Sequence, residues 1–546
     1  MPNDPGRWEL EVAGMTCDAC ERHVSRAIEQ AGGSQANASW QDGKATFTAT
    51  DPDPAALAGA IADAGYQPGA LRALASPVVR AAVGPGGGRD EWDLAIVGSG
   101  GAAFAAAIRA TSLGARAAIV ERDVVGGTCV NVGCVPSKTL LAAAATYRHA
   151  GHHPFAGVPT SGGPVDLAAV MDQKDELVGG LRQSKYLDLA ADYGFGIVEG
   201  TARFTGPDTL VVDGAPLRAG AFVVATGAEP AVPDLPGLAE AGYLTSTTAM
   251  ELRELPERLV VIGGGFVGME QSQLFARLGA QATLVGHLAP RAEPELAAWM
   301  RRIFTDEGIT VHDIRATAVS RTGAGVTVHC ADGTSCDGDA VLVATGRRPR
   351  TAGLGLDAAG VKLDDRGFVA VDATQRTSSP KVWAAGDVAG GPQFVYVAAA
   401  QGTVAADNAL GGTGREVDYT GLPSVTFTDP QLASAGLTEA DALAAGHRCE
   451  CRVVQLDQVP RALVNRDTRG AIKVVIDADT HKVLGVHAVA DGAGDVMLAA
   501  TYAIKFGLTI DQVADTWAPY LTMSEALKLA AQSFRADIKR LSCCAA

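Results

Sequence analysis

The feature that most constrains this chain is a phrase that it uses twice. Residues 94–123 read LAIVGSGGAAFAAAIRATSLGARAAIVERD, and residues 259–287 read LVVIGGGFVGMEQSQLFARLGAQATLVGH. Each copy is an apolar run, a glycine-rich turn, a helical stretch and a second apolar run. Glycines at such a turn allow a sharp reversal and a close approach of pyrophosphate to a helix N-terminus. Two copies predict two dinucleotide sites. The first loop is Gly98-x-Gly100-x-x-Ala103, and Glu121 closes the next strand where it can meet ribose hydroxyls. The second loop is Gly263-x-Gly265-x-x-Gly268, and its next strand ends without a carboxylate. His287 and Arg291 follow instead. Basic side chains there accommodate a 2′-phosphate, which favours NADPH over NADH. Arg291 could equally be a solvated loop residue.

Composition narrows the class. The 546 residues are 47% hydrophobic and 19% charged, with a formal net charge of −16. That balance fits an α/β enzyme and excludes a basic nucleic-acid-binding surface. No apolar run is long enough to span a membrane, and MPNDPGRWEL lacks the basic and apolar regions of a secretory signal. The expected location is the cytoplasm. Ten cysteines are too sparse for a disulfide scaffold. Six fall in pairs: Cys17/Cys20, Cys129/Cys134 and Cys543/Cys544. Such pairs read as metal or redox sites in a reducing compartment. Cys330, Cys336, Cys449 and Cys451 read as ordinary β-region residues.

The N-terminal stretch alternates as βαββα(β), a ferredoxin-like unit, and ASPVVRAAVGPGGGRDE behind it reads as a linker. The expected organisation is a module over 1–72, a linker over 73–90, and a first nucleotide-binding domain over 91–245. A second nucleotide-binding domain follows over 246–372, a return to the first over 373–420, and an α+β domain over 421–546. The fold class is thus α/β with two Rossmann-like domains.

Between the loops lies GGTCVNVGCVPSK, residues 126–138. Zinc would need two further ligands, and no second CxxC or HxxxH is near. A dithiol needs two thiols within bridging reach and one activated as thiolate. A helix starting near Pro136 would supply a positive N-terminus to the pair. This segment resembles the signature of the flavin-dependent disulfide reductases, as do ATG at 225–227 and VWAAGDVAG with Gly386 and Asp387. The resemblance covers about residues 91–546. It implies FAD in the first site, a nicotinamide nucleotide in the second, and a homodimer formed by the C-terminal domain. It further implies Cys134 against the flavin, Cys129 toward substrate, and Lys138 beside the flavin ring. Thr128 would lie at the flavin phosphates and Asp387 at the ribityl chain, with Asp123, Ala202, Gly227 and Val395 also in that site.

Disulfide-reducing members carry a C-terminal His-Pro-Thr-x-x-Glu, whose histidine and glutamate protonate a departing thiolate. This chain has PYLTMSE, with Tyr520 at the histidine position and Thr522 and Glu525 kept. A phenol of ordinary pKa near 10 is a poor proton shuttle at neutral pH. The departure argues against glutathione or lipoamide and for a metal ion. In this it is similar to the mercuric reductases of the family, as are LRQSKY ending at Tyr186 and the vicinal Cys543/Cys544. Tyr186 and Tyr520 would then line the metal site, packing alone being the other reading of Tyr186. GMTCDAC, residues 14–20, resembles the heavy-metal-associated domain, with Cys17 and Cys20 as ligands for a soft two-coordinate ion. Tyr66 would lie near that loop.

The resemblance implies that NADPH reduces Hg(II) to Hg(0) through FAD and Cys129/Cys134. The ion arrives bound to small thiols and is passed from Cys17/Cys20 to Cys543/Cys544 of the partner chain and on to the catalytic pair. Transient contact with a mercury transporter is a possible further partnership. Two alternatives compete: an NADPH-dependent disulfide reductase with an accessory metal domain, and a metal-sequestering protein that keeps its own thiols reduced.

Overall fold

A computed structural model describes residues 6–15, 18–40, 43–50, 52–74, 91–323 and 325–540. Cys17, Cys543 and Cys544, three of the expected metal ligands, lie outside the described residues. The chain forms two compact units, divided at Pro85/Gly86.

The small unit runs β1 (Gly6–Ala13), α1 (Asp18–Gln30), β2 (Ser34–Ser39), β3 (Lys44–Ala49), α2 (Pro54–Asp63) and β4 (Gln67–Leu74). Its antiparallel sheet has the order β2-β3-β1-β4. Val24, Ala27 and Ile28 recur at helical spacing on α1, as do Leu57 and Ile61 on α2. They close a core with Leu10, Val12 and Phe47 of the sheet. Asp53 starts α2 by accepting the Ala55 N–H at 2.9 Å, and Pro54 at the first helical position has no N–H to lose.

The large unit begins with β5 (Glu91–Val97), α3 (Gly101–Ser112), β6 (Ala117–Glu121), α4 (Gly127–Val132), α5 (Cys134–Gly151), α6 (Leu167–Arg182) and β7 (Gly196–Glu199). β7, β6, β5 and the strand Ala215–Val224 lie parallel in that order. Val382–Ala384, far along the chain, adds a further parallel strand. The helix Val395–Gly411 then returns over α3. The two approach so closely that a Cβ on Gly402 would stand 2.1 Å from the Ala102 carbonyl oxygen.

The second parallel sheet has the order Leu244–Thr245, Ala340–Val343, Arg258–Ile262, Gln281–Val285, Thr310–His312. Its first helix, Phe266–Leu278, follows the second glycine loop. The C-terminal part is an antiparallel sheet ordered Pro423–Thr426, Gln431–Gly436, Val483–Ala490, Ala471–Asp477, Cys449–Gln455. Helices Ala493–Lys505 and Glu525–Gln532 share its core. Arg277 joins this part to the second sheet. Its guanidinium, 5% exposed, holds Glu307 and Asp429, each at 2.7 Å.

Candidate redox site

The two thiols stand on consecutive helices. Cys129 is in α4, and Cys134 is the first residue of α5. The second helix thus starts two residues before the expected Pro136. The break falls at Gly133, where a Cβ would meet the Thr128 carbonyl oxygen at 2.8 Å. Cys134 therefore sits at a helix N-terminus, where a negative charge is favoured. Both thiols are free, Cys129 partly buried and Cys134 exposed.

The pair is asymmetric. The Cys129 thiol hydrogen-bonds to the Cys134 sulfur, and this bond, helped by the Lys138 ammonium against the cost of burial, lowers the Cys134 pKa to about 7. The same bond, burial and the Cys134 charge push Cys129 upward. Of the two, Cys134 is the more acidic sulfur and Cys129 the one that keeps its proton. Lys138 is held by Glu270 at 2.8 Å and lies 4.5 Å over the Phe427 ring. The other Glu270 oxygen accepts the Phe427 N–H at 2.8 Å.

Two phenols lie within electrostatic reach of the thiols. Tyr186 lies on a π-helical turn, Gln183–Leu187, a device that re-aims side chains within a helix. Its ring meets Phe104 edge-on at 4.7 Å. Burial first, then the Cys129 and Cys134 charges, raise its pKa to about 12. Arg182, one turn earlier, donates to Asn131 at 2.8 Å, and Asn131 donates to the Val125 and Gly127 carbonyls, tying this turn to α4. Tyr396 is likewise raised to about 12 by burial and then by Cys134. Its hydroxyl donates to the Pro423 carbonyl at 2.5 Å and its ring stacks on Phe394. Both phenols stay protonated at neutral pH, able to donate but not to accept a proton as phenolate.

The first glycine loop meets the thiol segment backbone to backbone. Gly127 has φ +64°, and a Cβ on it would stand 2.5 Å from Gly100 Cα. Buried Ser99 accepts the Gly126 N–H at 3.1 Å and donates to Glu121 at 2.5 Å. The other Glu121 oxygen accepts the N–H groups of Arg122 and Asp123 at 2.9 and 3.0 Å. Opposite, Gly386 donates to Gln401 at 2.7 Å and carries Asp387. Burial raises the Asp387 pKa, against the pull of Arg347 at 3.5 Å. Buried Arg347 Nε has no hydrogen-bond partner among the described residues.

At the second loop, a Cβ on Gly264 would stand 2.2 Å from the His287 carbonyl oxygen, and one on Gly268 would stand 1.8 Å from the Gly263 oxygen. Gly265 caps the helix Phe266–Leu278 and faces open space. His287, exposed, pairs through Nδ1 with Asp313 at 2.7 Å, and Arg301 pairs with the same carboxylate. Arg291 is exposed in the turn before the helix Pro294–Asp306.

Residues 92–402 match the Pyridine nucleotide-disulphide oxidoreductase family, and residues 422–531 match its dimerisation domain. Residues 9–67 match the Heavy-metal-associated domain. Among curated relatives, a mercuric reductase of Streptomyces lividans is 54% identical, covering 83% of this chain and 98% of its own length. One of Staphylococcus aureus is 45% identical over 98% of this chain and 99% of its own. Of solved structures, the Cu(II) complex of the HOCl-induced flavoprotein disulfide reductase RclA from Escherichia coli superposes with a TM-score of 0.74, at 29% identity, covering 82% of this chain and all of the other. The chain belongs to the mercuric reductase branch of the pyridine nucleotide-disulphide oxidoreductases.

Mercuric reductases of this family use FAD and NADPH, and the residues here fit both. The cradle at Gly127 admits backbone but no side chain, and buried Arg347 Nε, ion-paired with Asp387 at 3.5 Å, makes no hydrogen bond among the described residues. Around it lie Thr128 in α4, Ala103 buried in α3, and Gly227 at φ +70°. Val395 opens the helix over α3, with Cγ2 3.1 Å from where a Gly101 Cβ would be. Ala202 is buried at a strand start, and Asp123 is exposed beside Arg122. Tyr520 lies about half exposed in the loop before Glu525–Gln532. There Thr522 donates to the Pro519 carbonyl at 2.8 Å, and buried Glu525 accepts the Leu521 N–H at 3.2 Å. In the small unit, Cys20 is partly buried in the first turn of α1, and Tyr66 packs on the core 4.0 Å from where a Gly14 Cβ would be.

Sequence reasoning missed Tyr396, Arg347 and Glu270. The only advance signal for Tyr396 was the aromatic run FVY opening the helix behind Asp387.

Proposed function

We propose that this chain reduces mercury for detoxification, Hg(II) + NADPH → Hg(0) + NADP⁺ + H⁺, with Cys129 and Cys134 as the metal-holding pair. Bound NADPH and FAD supply the two electrons. The observation that carries this reading is a pair of free thiols in contact, one of them opening a helix, with Tyr186 against the same segment. A soft ion such as Hg(II) prefers two thiolate ligands, so it moves between proteins and small thiols by ligand exchange. Cys129, the substrate-facing thiol, exchanges onto the ion as its proton passes to the departing carrier thiolate. Cys134, the more acidic sulfur, displaces the second carrier thiolate from the flavin side. Tyr186, a neutral phenol, can donate a hydrogen bond without competing as an anionic ligand, while the Tyr396 hydroxyl is held by the Pro423 carbonyl. Lys138, fixed by Glu270, holds positive charge near Cys134.

In the same proposal Cys17/Cys20 capture the ion, and Cys543/Cys544 of the partner subunit relay it to a site that Tyr520 of the partner subunit completes. His287 and Arg291 receive the 2′-phosphate of NADPH, and Glu121 the ribose of FAD. The dimerisation-domain match supports the homodimer this requires. Small intracellular thiols serve as carriers, contact with a mercury transporter is transient, and the work is cytoplasmic. Among the described residues no helix is long and apolar enough to cross a membrane.

Parallel assays separate this reading from its rivals. NADPH oxidation should depend on Hg(II) and be negligible with oxidised glutathione or lipoamide. Turnover on disulfides alone would favour the disulfide-reductase reading, and stoichiometric uptake without sustained oxidation the sequestration reading. The Cys543→Ala/Cys544→Ala variant should keep flavin reduction by NADPH and lose turnover on thiol-bound Hg(II). Unchanged turnover would remove the relay.

A further inference from the structure

Two cysteines outside the redox site share a built environment. Cys449 and Cys451 lie on Cys449–Gln455, the edge strand of the C-terminal sheet. Strand alternation puts them on one face. Their companions on that face are Val453, which packs against the core beneath the helix Pro294–Asp306, and Gln455, which accepts from Trp299 of that helix at 3.0 Å. The intervening residues face the other way. Val454 enters the core of the C-terminal part, and Arg452 lies 5.0 Å over the Phe534 ring. Cys449 and Cys451 are both free and only partly buried. Adjacent same-face residues on a strand are about 7 Å apart at Cα. Two sulfurs turned toward each other from that distance can approach the span of a linear sulfur–metal–sulfur unit.

The surroundings are anionic. The Cys451 thiol hydrogen-bonds to Glu439. Asp477 is the register partner of Cys449, whose sulfur lies 3.9 Å from the His447 carbonyl oxygen. The basic partners of these carboxylates are already engaged: Lys473 with Glu439 at 2.7 Å, Glu293 at 3.0 Å and Glu295 at 3.1 Å, and His447 with Asp477 at 2.8 Å. By contrast Cys330 and Cys336 are buried in the second nucleotide-binding domain, out of reach of a carrier.

We propose that Cys449 and Cys451 form an accessory site for a soft two-coordinate cation, Hg(II) in this protein's setting. Hg(SR)₂ exchanges onto the pair. Two carrier Hg–S bonds break, two Hg–S bonds to Cys449 and Cys451 form, and the two cysteine protons leave on the carrier thiols. No electron moves. The site takes up the ion apart from the reductive path. Only the choice of Hg(II) rests on the proposed function, and the test is run without NADPH so that failure of reduction and failure of binding are separate results.

The full chain with Cys17, Cys20, Cys129, Cys134, Cys543 and Cys544 all changed to Ser is mixed with Hg(II) carried by a small monothiol in slight excess. It is then gel-filtered and assayed for mercury per chain. About one Hg(II) should remain, the count for a two-thiolate site. Adding Cys451→Ser, or separately Cys449→Ser, should abolish retention, while Cys330→Ser/Cys336→Ser should leave it unchanged. Bound FAD and circular dichroism report folding of each variant. No retained mercury in the six-serine chain, or retention that survives both Cys451→Ser and Cys449→Ser, overturns the proposal.

Discussion

The acidity of Cys134 comes first from the Cys129 thiol and then from Lys138. The thiolate form is the reactive one and exists above its pKa. Alkylation of the reduced enzyme at Cys134 should therefore rise with pH through a midpoint of about 7 and level off above it. Cys129→Ala removes the donor, so the midpoint should move to higher pH. Cys129→Ser keeps a donor and should move it less. A midpoint that stays put in Cys129→Ala would mean another group ionises Cys134. Tyr186→Phe removes only a hydroxyl that is protonated at working pH. A neutral hydrogen bond is worth about 0.5–1.5 kcal/mol, so kcat/KM for Hg(II) should fall by up to about tenfold. The rate of flavin reduction by NADPH should not change. Stopped-flow kinetics of the two half-reactions separates these effects.

At the scale of elements, the glycine positions show why the loops were legible. Gly98, Gly263 and Gly268 stand where a side chain would strike backbone within 2.4 Å, so the sequence had no freedom there. The C-x4-C pair was legible because it sits on a short helix broken at Gly133. What the sequence concealed are contacts made by folding. Tyr396 comes within electrostatic reach of Cys134 because its helix packs on α3 and its hydroxyl finds Pro423. Arg347 meets Asp387, 40 positions further along the chain. Neither has a local periodicity to betray it. Close helix packing also gives a prediction. Gly402→Ala would drive a methyl group into the Ala102 backbone. Overpacking costs about 1–3 kcal/mol. The helix should shift away from α3, lowering the melting temperature and FAD retention together. Unchanged FAD content in thermal and spectral assays would contradict the close approach.

For the whole molecule, polar clusters join parts that the sequence reading treated separately. Arg277 clasps Glu307 and Asp429 with little access to water. Removing one partner of a buried pair strands the others, at about 3–5 kcal/mol. Arg277→Leu should lower stability by that order in chemical denaturation, while the spacing of the thiols and the Cys134 alkylation midpoint stay as they are. The composition and the glycine loops could foretell the two sheets. They could not foretell this seam, which pairs residues more than 150 positions apart. The central claim is that these parts together carry two electrons from NADPH to a thiol-held metal ion. The direct measurement is simultaneous NADPH oxidation and mercury vapour release by the full-length dimer with excess small thiol. The account predicts one Hg(0) released for each NADPH consumed, abolished in Cys134→Ser. NADPH oxidation without mercury vapour, or vapour release unaffected by Cys134→Ser, would contradict it.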